Sequence, residues 1–264
     1  MTDKKTRIHY TAEYLIDPPH PVTVNVIGAG GTGSQVAMTL ARMNVGLRAL
    51  GHPGIWARII DDDRITEANP GRQLFSKSDI DEYKCVALVG RINQFYGTKW
   101  DAMPARFGQD AVKSANITIS CVDSGAARKA IRTEVMKPFV GGRHRHPYEV
   151  EYYWMDFGNM KDRGQAILGT IISIRQPKST DFDCISVLPT VDKVHPDILR
   201  DKKGEDQGPS CSLAESLSRQ DLLINTNLAN MGLGLLWKMF RELRTRHRGV
   251  YLNMDELTCN SLKV

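Results

Sequence analysis

The stretch "VTVNVIGAGGTGS", residues 22–34, decides the fold. Its first six residues form a largely β-branched run, which is typical of a strand buried inside a parallel sheet. The glycines at Gly28, Gly30 and Gly33 follow in the GxGxxG spacing that joins a strand to a helix in nucleotide-binding βαβ units. They permit a tight turn, and the amino end of the next helix favours a phosphate group. The stretch therefore predicts a nucleotide site but leaves the nucleotide open.

The segments that follow extend this unit into an α/β protein. Apolar residues recur three and four apart from Val36 to Leu50 and predict a helix, after which "IWARII" (Ile55–Ile60) predicts a second strand. The run "NITISCV" (residues 116–122) predicts another buried strand, and residues 149–174 predict a strand pair joined by a turn at Gly158–Gly164. We expect a Rossmann-like doubly wound sheet, mainly parallel with antiparallel late strands.

Length and composition predict one domain over residues 1–264, since 264 residues with 41% hydrophobic content can bury a substantial core. Helices are expected from Ser78 to about Tyr96 and from Leu213 to Leu243, and "GVYLNM" predicts a closing strand. Between them, residues 189–212 are polar, charged and rich in Pro and Gly, which predicts a mobile crossover loop.

Several classes of protein are excluded by what the sequence lacks. No apolar run approaches the roughly 18 residues of a membrane span, and the polar N-terminus has no apolar signal core, so we expect a cytoplasmic protein. Five cysteines without a CxxC pair indicate neither a disulfide framework nor a four-cysteine zinc site, so no zinc is expected. The net charge is +5, and the basic runs near residues 141–148 and 238–249 are more typical of solvated faces than of nucleic-acid sites.

Polar residues directly after the second strand indicate a triphosphate. Asp61 and Asp63 are two apart at the strand end, so both side chains project to one side of the sheet edge, where one can accept from ribose hydroxyls. Asn69, Arg72 and Gln73 add amide and guanidinium donors, which suit phosphate oxygens better than a nicotinamide ring.

Two further residues complete this predicted site. Lys84 supplies a cation at the start of the next helix, and Asp123 ends another strand, where a carboxylate can join phosphates in binding magnesium. Each alone could be a surface charge or a turn cap, but all are expected at strand ends beside one glycine loop. An NAD-dependent oxidoreductase and a non-catalytic Rossmann-like scaffold remain the alternatives.

These motifs together resemble a known family. The segments "GAGGTGS", "DDDRITEANPGRQLF" and "SCVDSGAARKAI", with the lysine between them, are similar to the ThiF/MoeB and ubiquitin-activating-enzyme superfamily of adenylyltransferases, and most closely resemble the ThiF-family proteins of the PRTRC system. The residues that carry the resemblance are Gly28, Gly30, Gly31, Gly33, Asp61, Asp63, Ile65, Asn69, Arg72, Gln73, Lys84, Asp123 and Arg128.

The resemblance implies a function, a cofactor set and partners. In that family, ATP and Mg²⁺ adenylate the C-terminal glycine carboxylate of a small ubiquitin-like or sulfur-carrier protein. By resemblance, Gly28 to Gly33, Thr32 included, would cradle the nucleotide, Asp61 would hold the ribose, and Asp123 would hold magnesium. The side chains implied to contact the phosphates are those of Arg72, Gln73 and Lys84. A homodimer is implied, and a conjugating-type enzyme is a further candidate partner.

Three departures from the family pattern are visible. Ser124 stands where the family has an asparagine after the metal-binding aspartate, and the zinc-binding cysteine pairs of many members are absent. The family commonly inserts an arginine from the partner subunit, whereas Arg7 is the only early arginine here.

Some members of the family pass the acyl group to a cysteine, and Cys211 is the first candidate. It lies in "GPSCSLAES" at a predicted helix start, where the helix dipole and free amides stabilise a thiolate. The alternative for Cys211 is an inert thiol beside a polar helix cap. Cys184 is the competing acceptor because it too is expected on a surface segment, while Cys85 and Cys121 are expected to be structural.

Overall fold

An eight-stranded mixed sheet forms the centre of the structure, a computed structural model that describes residues 5–108, 112–137, 146–200, 215, 217 and 220–264. In chain order, the strands are β1 (Thr6–Tyr10), β2 (Val22–Ile27), β3 (Ile55–Ile60), β4 (Asp101–Met103), β5 (Ile117–Ser120), β6 (Tyr153–Asn159), β7 (Arg163–Thr170), β8 (Phe182–Cys184), β9 (Arg244–Thr245), β10 (His247–Asn253) and β11 (Thr258–Lys263). The described helices are α1 (Glu13–Ile16), α2 (Gly31–Ala49), α3 (Lys84–Tyr96), α4 (Gly125–Val135), α5 (Val191–Val194) and α6 (Ile224–Glu242).

The strand order of this sheet is β11-β10-β7-β6-β5-β2-β3-β4. Neighbours from β6 to β4 are parallel, while β7, β10 and β11 continue the sheet in antiparallel fashion. This confirms the predicted fold class. The chain runs outward in both directions from the β2/β5 pair, and ligands of such sheets bind at this switch point, beyond the carboxyl ends of the strands.

The register brings the strand ends together. Ile27 at the end of β2 pairs with Ile60 at the end of β3 and with Ser120 at the end of β5. The loops that begin at the next residue of each strand therefore meet at one place on the carboxyl edge. This alignment places the glycine loop beside the acidic segment after β3.

Helices cover both faces of the sheet. On one face, α2 and α6 pack over a core that includes Val24, Phe157 and Leu228. On the other face, α4 and α5 cover a smaller cluster that includes Trp154 and Ile167. Close packing of α6 depends on Gly232, where a β-carbon would come within 2.4 Å of the Phe157 ring.

A second, three-stranded sheet in the order β8-β1-β9 lies at the amino edge. Its residue His9 contacts Tyr153, the first residue of β6. Neither β1 nor β8 is predicted by the sequence, because both are short and pair only with distant segments. None of the described helices combines the length and the apolar character that a membrane span needs.

Three predicted elements differ in their bounds. The helix expected from Ser78 begins at Lys84, because Asp81 takes a left-handed conformation (φ 72°) after a short 3₁₀ turn. The last long helix, predicted from Leu213, is α6, which begins only at Ile224 because residues 220–223 are not helical; it ends where Leu243 becomes left-handed (φ 60°). The closing strand β10 is followed by β11, so the chain closes with a hairpin.

The predicted crossover loop at residues 189–212 is described only to residue 200. That part contains α5 and a 3₁₀ turn at Pro196–Leu199, held to α4 by an Arg132–Asp192 ion pair of 2.7 Å. The rest of the loop lies outside the described residues, so its mobility stays a prediction.

Candidate functional site

A cleft of about 650 Å³ opens at the carboxyl edge of the sheet, above the β2/β5 switch point. Every nucleotide-binding residue predicted from the sequence lines it except Gly33: Gly28, Gly30, Gly31, Thr32, Asp61, Asp63, Asn69, Arg72, Gln73, Lys84 and Asp123. Gly33 lies directly behind the loop. The structure therefore brings together residues that are up to 95 positions apart in the sequence, from Gly28 to Asp123.

The glycines of the loop have different roles. Gly28 has φ +92°, and a β-carbon there would be 2.6 Å from the Cys121 carbonyl oxygen. A β-carbon on Gly33 would be 1.9 Å from the Gly28 carbonyl oxygen, so no larger residue fits. Gly30, in contrast, has nothing within 4 Å of its β-position. Gly28 and Gly33 are thus required by packing, while Gly30 leaves open space at the amino end of α2.

Asp61 is held by backbone amides. Its Oδ2 accepts from the Ala29 amide at 2.5 Å and its Oδ1 from the Asp63 amide at 2.9 Å. Burial raises the pKa of Asp61, and Lys84 together with the two amides opposes that rise. The carboxylate is therefore fixed between the glycine loop and the segment after β3.

Lys84 places a buried cation in the same corner. It is the first residue of α3 and is only 9% exposed, and its Nζ lies 2.6 Å from the Asp63 Oδ2. Asp63 itself is largely exposed, at 64% of its side chain. The acidic pair predicted to point the same way is thus divided: Asp61 contacts the loop, and Asp63 is the counter-ion of the lysine.

The turn after β3 presents two unsatisfied polar atoms. Asn69 has a structural part in this turn, since its Oδ1 accepts from the Thr66 amide at 2.9 Å. Among the described residues, the buried Nε of Arg72 and the buried Oε1 of Gln73 have no hydrogen-bond partner. Burial lowers the pKa of Arg72. Buried polar atoms are nearly always paired in native proteins, so these two are suited to a ligand.

Among the cleft residues that were not predicted from the sequence, Asn159, Gln220 and Asn225 form one hydrogen-bonded group. Asn225 is 1% exposed, and its Oδ1 accepts from Thr32 Oγ1 at 2.8 Å and from Asn159 Nδ2 at 2.7 Å. The available signal was an asparagine at the start of a helix that is otherwise apolar on that side. Its partners could not be identified from sequence because they lie 66 and 193 positions away.

Asp123 reaches the cleft through a loop that Arg128 holds in place. The guanidinium donates to the Val122 carbonyl at 2.6 Å and pairs with the buried Asp156, with Nε to Oδ1 at 3.2 Å. Burial raises the pKa of Asp156, and Arg128 is the main opposing influence. Ser124, the departure from the family pattern, caps α4 by accepting from the Ala127 amide at 3.2 Å.

The metal prediction is compatible with this arrangement. Among the described residues there is no group of three or more His, Cys, Asp or Glu side chains that could hold a metal by themselves. Magnesium in nucleotide sites needs only one or two carboxylates, since phosphates and waters supply the remaining ligands. Asp123 is exposed and lines the cleft, so it fits that requirement.

Of the two candidate acyl acceptors, only Cys184 lies within the described residues. Cys211 lies outside the described residues. Cys184 is on β8, which pairs with β1, and β9, on the other side of β1, directly follows the carboxyl end of α6. Because Asn225 at the amino end of α6 lies in the cleft and a 19-residue helix is about 28 Å long, Cys184 is far from it.

The other described cysteines fit a structural role. Burial raises the pKa of the Cys85 thiol to about 11 and raises that of Cys121 well above its usual range. A buried thiol of this kind is protonated near neutral pH and is therefore a poor nucleophile. Cys259, in contrast, is exposed on β11.

Fold and site together define a Rossmann-like α/β protein with a polar cleft at the switch point of its sheet. The sequence profile of the ThiF family matches residues 20–217, and the chain belongs to that family. The narrower resemblance to the PRTRC system stays a prediction. No curated protein sequence matches the chain.

Solved structures agree on the fold. PaaA has a TM-score of 0.56 at 14% identity, and E. coli MccB with MccA-N7isoASN has 0.54 at 14% identity. Each match covers 92% of this chain and 64% of the other, so this chain spans less than two thirds of their length. At such low identity the likeness establishes the fold alone. E. coli MccB has been crystallised with ATP and with AMPCPP plus MccA.

Proposed function

We propose that this protein binds ATP in the cleft and adenylates a carboxylate at the C-terminus of a small protein or peptide. The observation that carries the proposal is the buried Nε of Arg72, which has no partner among the described residues and lies in one cleft with Lys84 and the open amino end of α2. Two cations and a helix amino end are suited to a polyanion. Membership of the ThiF family and the ATP-bound structures of MccB support ATP as that polyanion.

The cleft offers a separate place for each part of the nucleotide. Asp61, fixed by two amides, suits the ribose hydroxyls. Phe107, Ala130 and Ile131 give one wall an apolar character that suits the base. Arg72 and Lys84, on the turn after β3 and at the start of α3, suit the phosphates.

The reaction needs charge stabilisation more than acid–base chemistry. A carboxylate oxygen attacks the α-phosphorus, the bond from that phosphorus to the bridging oxygen breaks, and pyrophosphate leaves with the electron pair. Negative charge builds on the phosphates, and preorganised cations lower the energy of that transition state. Asp123 would hold magnesium, which would supply further charge neutralisation when bound.

The substrate class is the finer part of the proposal. A ubiquitin-like or sulfur-carrier protein with a C-terminal glycine is the substrate implied by the resemblance, and a homodimer is the implied assembly. MccB, which has been crystallised with MccA, supports a small peptide or protein as the substrate class. A conjugating-type enzyme would be the next partner if the acyl group is transferred onward.

Transfer to Cys211 would follow adenylation. The thiolate would attack the acyl carbon, the bond from that carbon to the AMP oxygen would break, and AMP would leave. Two described residues, one before and one after this cysteine, lie beside or in the cleft. Arg200 packs against Gly125, where a β-carbon would be 2.6 Å from it, and Gln220 bonds to Arg72 at 2.5 Å.

The test is pyrophosphate–ATP exchange with a panel of small proteins ending in glycine, encoded beside this protein. Exchange that depends on one of them is expected, and Arg72→Ala should lower kcat/KM about a hundredfold. The matched control is Arg42→Ala, which removes an exposed arginine from α2. Absence of pyrophosphate–ATP exchange with every carrier tested, together with tight NADH binding, would contradict the proposal and favour an oxidoreductase.

The acyl acceptor is tested separately. Cys211→Ser should leave exchange intact and abolish a reductant-sensitive conjugate with the carrier, while Cys184→Ser should leave both unchanged. A conjugate that survives Cys211→Ser and is lost in Cys184→Ser would reverse the assignment.

A further inference from the structure

Two polar side chains, those of Gln220 and Asn225, connect Arg72 to Thr32 at the amino end of α2. Arg72 Nη1 donates to Gln220 Oε1 at 2.5 Å, and Asn225 Nδ2 donates to the same oxygen at 3.0 Å. Thr32 Oγ1, in the first turn of α2, then donates to Asn225 Oδ1 at 2.8 Å. Two carboxamides thus join the cation to the helix end, the two parts of the cleft that favour anions.

The donors determine how both carboxamides are oriented. The Arg72 guanidinium can only donate, so the Gln220 atom that it contacts must be the oxygen, Oε1. Asn225 must then turn its Nδ2 toward that oxygen, which leaves Asn225 Oδ1 to accept from Thr32 and Asn159. Asn225 has little freedom to move. It is 1% exposed, and a β-carbon on Gly31 would be 2.6 Å from its Nδ2.

This arrangement selects one edge of the Arg72 guanidinium. Gln220 occupies Nη1, whereas Nε is buried and has no partner among the described residues. The remaining edge, formed by Nε and Nη2, presents two parallel N–H groups. Such an edge binds two phosphate oxygens in a bidentate manner, which a lysine cannot do.

We propose that Gln220 and Asn225 are positioning residues that fix the Arg72 Nε–Nη2 edge at a set distance from the amino end of α2, and so favour nucleoside triphosphates over monophosphates. A triphosphate is long enough to contact both the Arg72 edge and the amino end of α2. Because these two groups are already held at a fixed separation, little conformational entropy is lost when the triphosphate binds. A monophosphate reaches only one of them. The inference rests on the proposed function, because it assumes that phosphates occupy this cleft.

The experiment is isothermal titration calorimetry of the full chain with ATP and, separately, with AMP. Gln220→Leu should raise the Kd for ATP about tenfold and leave the Kd for AMP within twofold, since only the contact made through Arg72 is disturbed. Gln94→Leu is the matched control, because Gln94 is exposed on α3. Thermal unfolding of each variant reports whether the fold is kept.

A double-mutant cycle separates positioning from a general structural role. In the Arg72→Ala background, Gln220→Leu should have no further effect on the Kd for ATP, because the group that it positions is gone. Equal losses of ATP and AMP affinity, or additive effects in the cycle, would overturn the inference. So would an unchanged Kd for ATP in Gln220→Leu. Failure of the wild type to bind ATP would instead overturn the proposed function.

Discussion

The two edges of the central sheet differ in how their buried polar side chains are satisfied. At the carboxyl edge, Arg72 Nε and Gln73 Oε1 are buried without partners among the described residues, and Gly30 faces open space. At the amino edge, His9 and Tyr153 satisfy each other. His9 Nε2 lies 2.9 Å from Tyr153 Oη, which also accepts from the Ala12 amide at 3.0 Å.

The difference separates a binding surface from a structural one. A buried donor or acceptor without a partner costs about 1–3 kcal/mol, so an edge that has two of them is stabilised by whatever ligand completes their hydrogen bonds. At the amino edge the His9–Tyr153 network is satisfied, and among the described residues there one buried atom, Tyr14 Oη beside Tyr152, has no hydrogen-bond partner. Substitutions at the carboxyl edge should therefore reduce activity more than stability, and substitutions at the amino edge should do the reverse.

The largest effect is expected for Lys84→Ala at the carboxyl edge. If ATP binds as proposed, loss of this buried cation should lower kcat/KM for pyrophosphate exchange about a hundredfold, because Lys84 would face the phosphates. Thermal stability should change little, since the partner of the lysine, Asp63, is largely exposed and can be hydrated. The control is Lys99→Ala, which removes an exposed lysine. A large fall in unfolding temperature with unchanged exchange would assign Lys84 to the structure instead.

Only one of the two edges could be predicted from the sequence. The carboxyl edge could be predicted, because the glycine loop and the segment from Asp61 to Gln73 follow strands whose ends must align in a parallel sheet. Asn225 and Gln220 could not be assigned to it, since a helical segment far along the chain gives no sign of what it packs against. The amino edge could not be predicted either. Its strand β1 pairs with β8, about 176 positions later, and short strands with distant partners leave no periodic pattern.

An effect of intermediate size is expected when pH changes the protonation of His9 at the amino edge and, with it, the free energy of unfolding. Burial lowers the pKa of His9 below its ordinary value of 6.5, so the unfolded chain takes up a proton before the folded one. The stability contributed by neutral His9 is therefore full above about pH 6.5 and is lost as the pH falls toward the folded pKa. The slope for one such group is at most about 1.4 kcal/mol per pH unit.

Urea unfolding at pH 7.5 and pH 5.5 measures this slope. His9→Gln should be less stable at the higher pH but should lose less stability on acidification than the wild type, because glutamine has no proton to gain. His20→Gln, at an exposed position, should behave as the wild type does. An unchanged pH dependence in His9→Gln would show that the buried histidine is not its source.

The smallest effect is expected for Arg7→Ala, and it bears most directly on the comparison of the two edges. Arg7 Nε lies 3.7 Å from Asp183 Oδ2, and both side chains are about half exposed, at 50% and 57%. An exposed pair of this kind contributes at most about 1 kcal/mol, so the free energy of unfolding should change little. Exchange activity should not change either, because within its own chain Arg7 lies at the edge opposite the cleft. A loss of exchange with normal stability would mean that Arg7 reaches the cleft of a partner subunit, as the arginine of other family members does, and the amino edge would then have a functional part as well as a structural one.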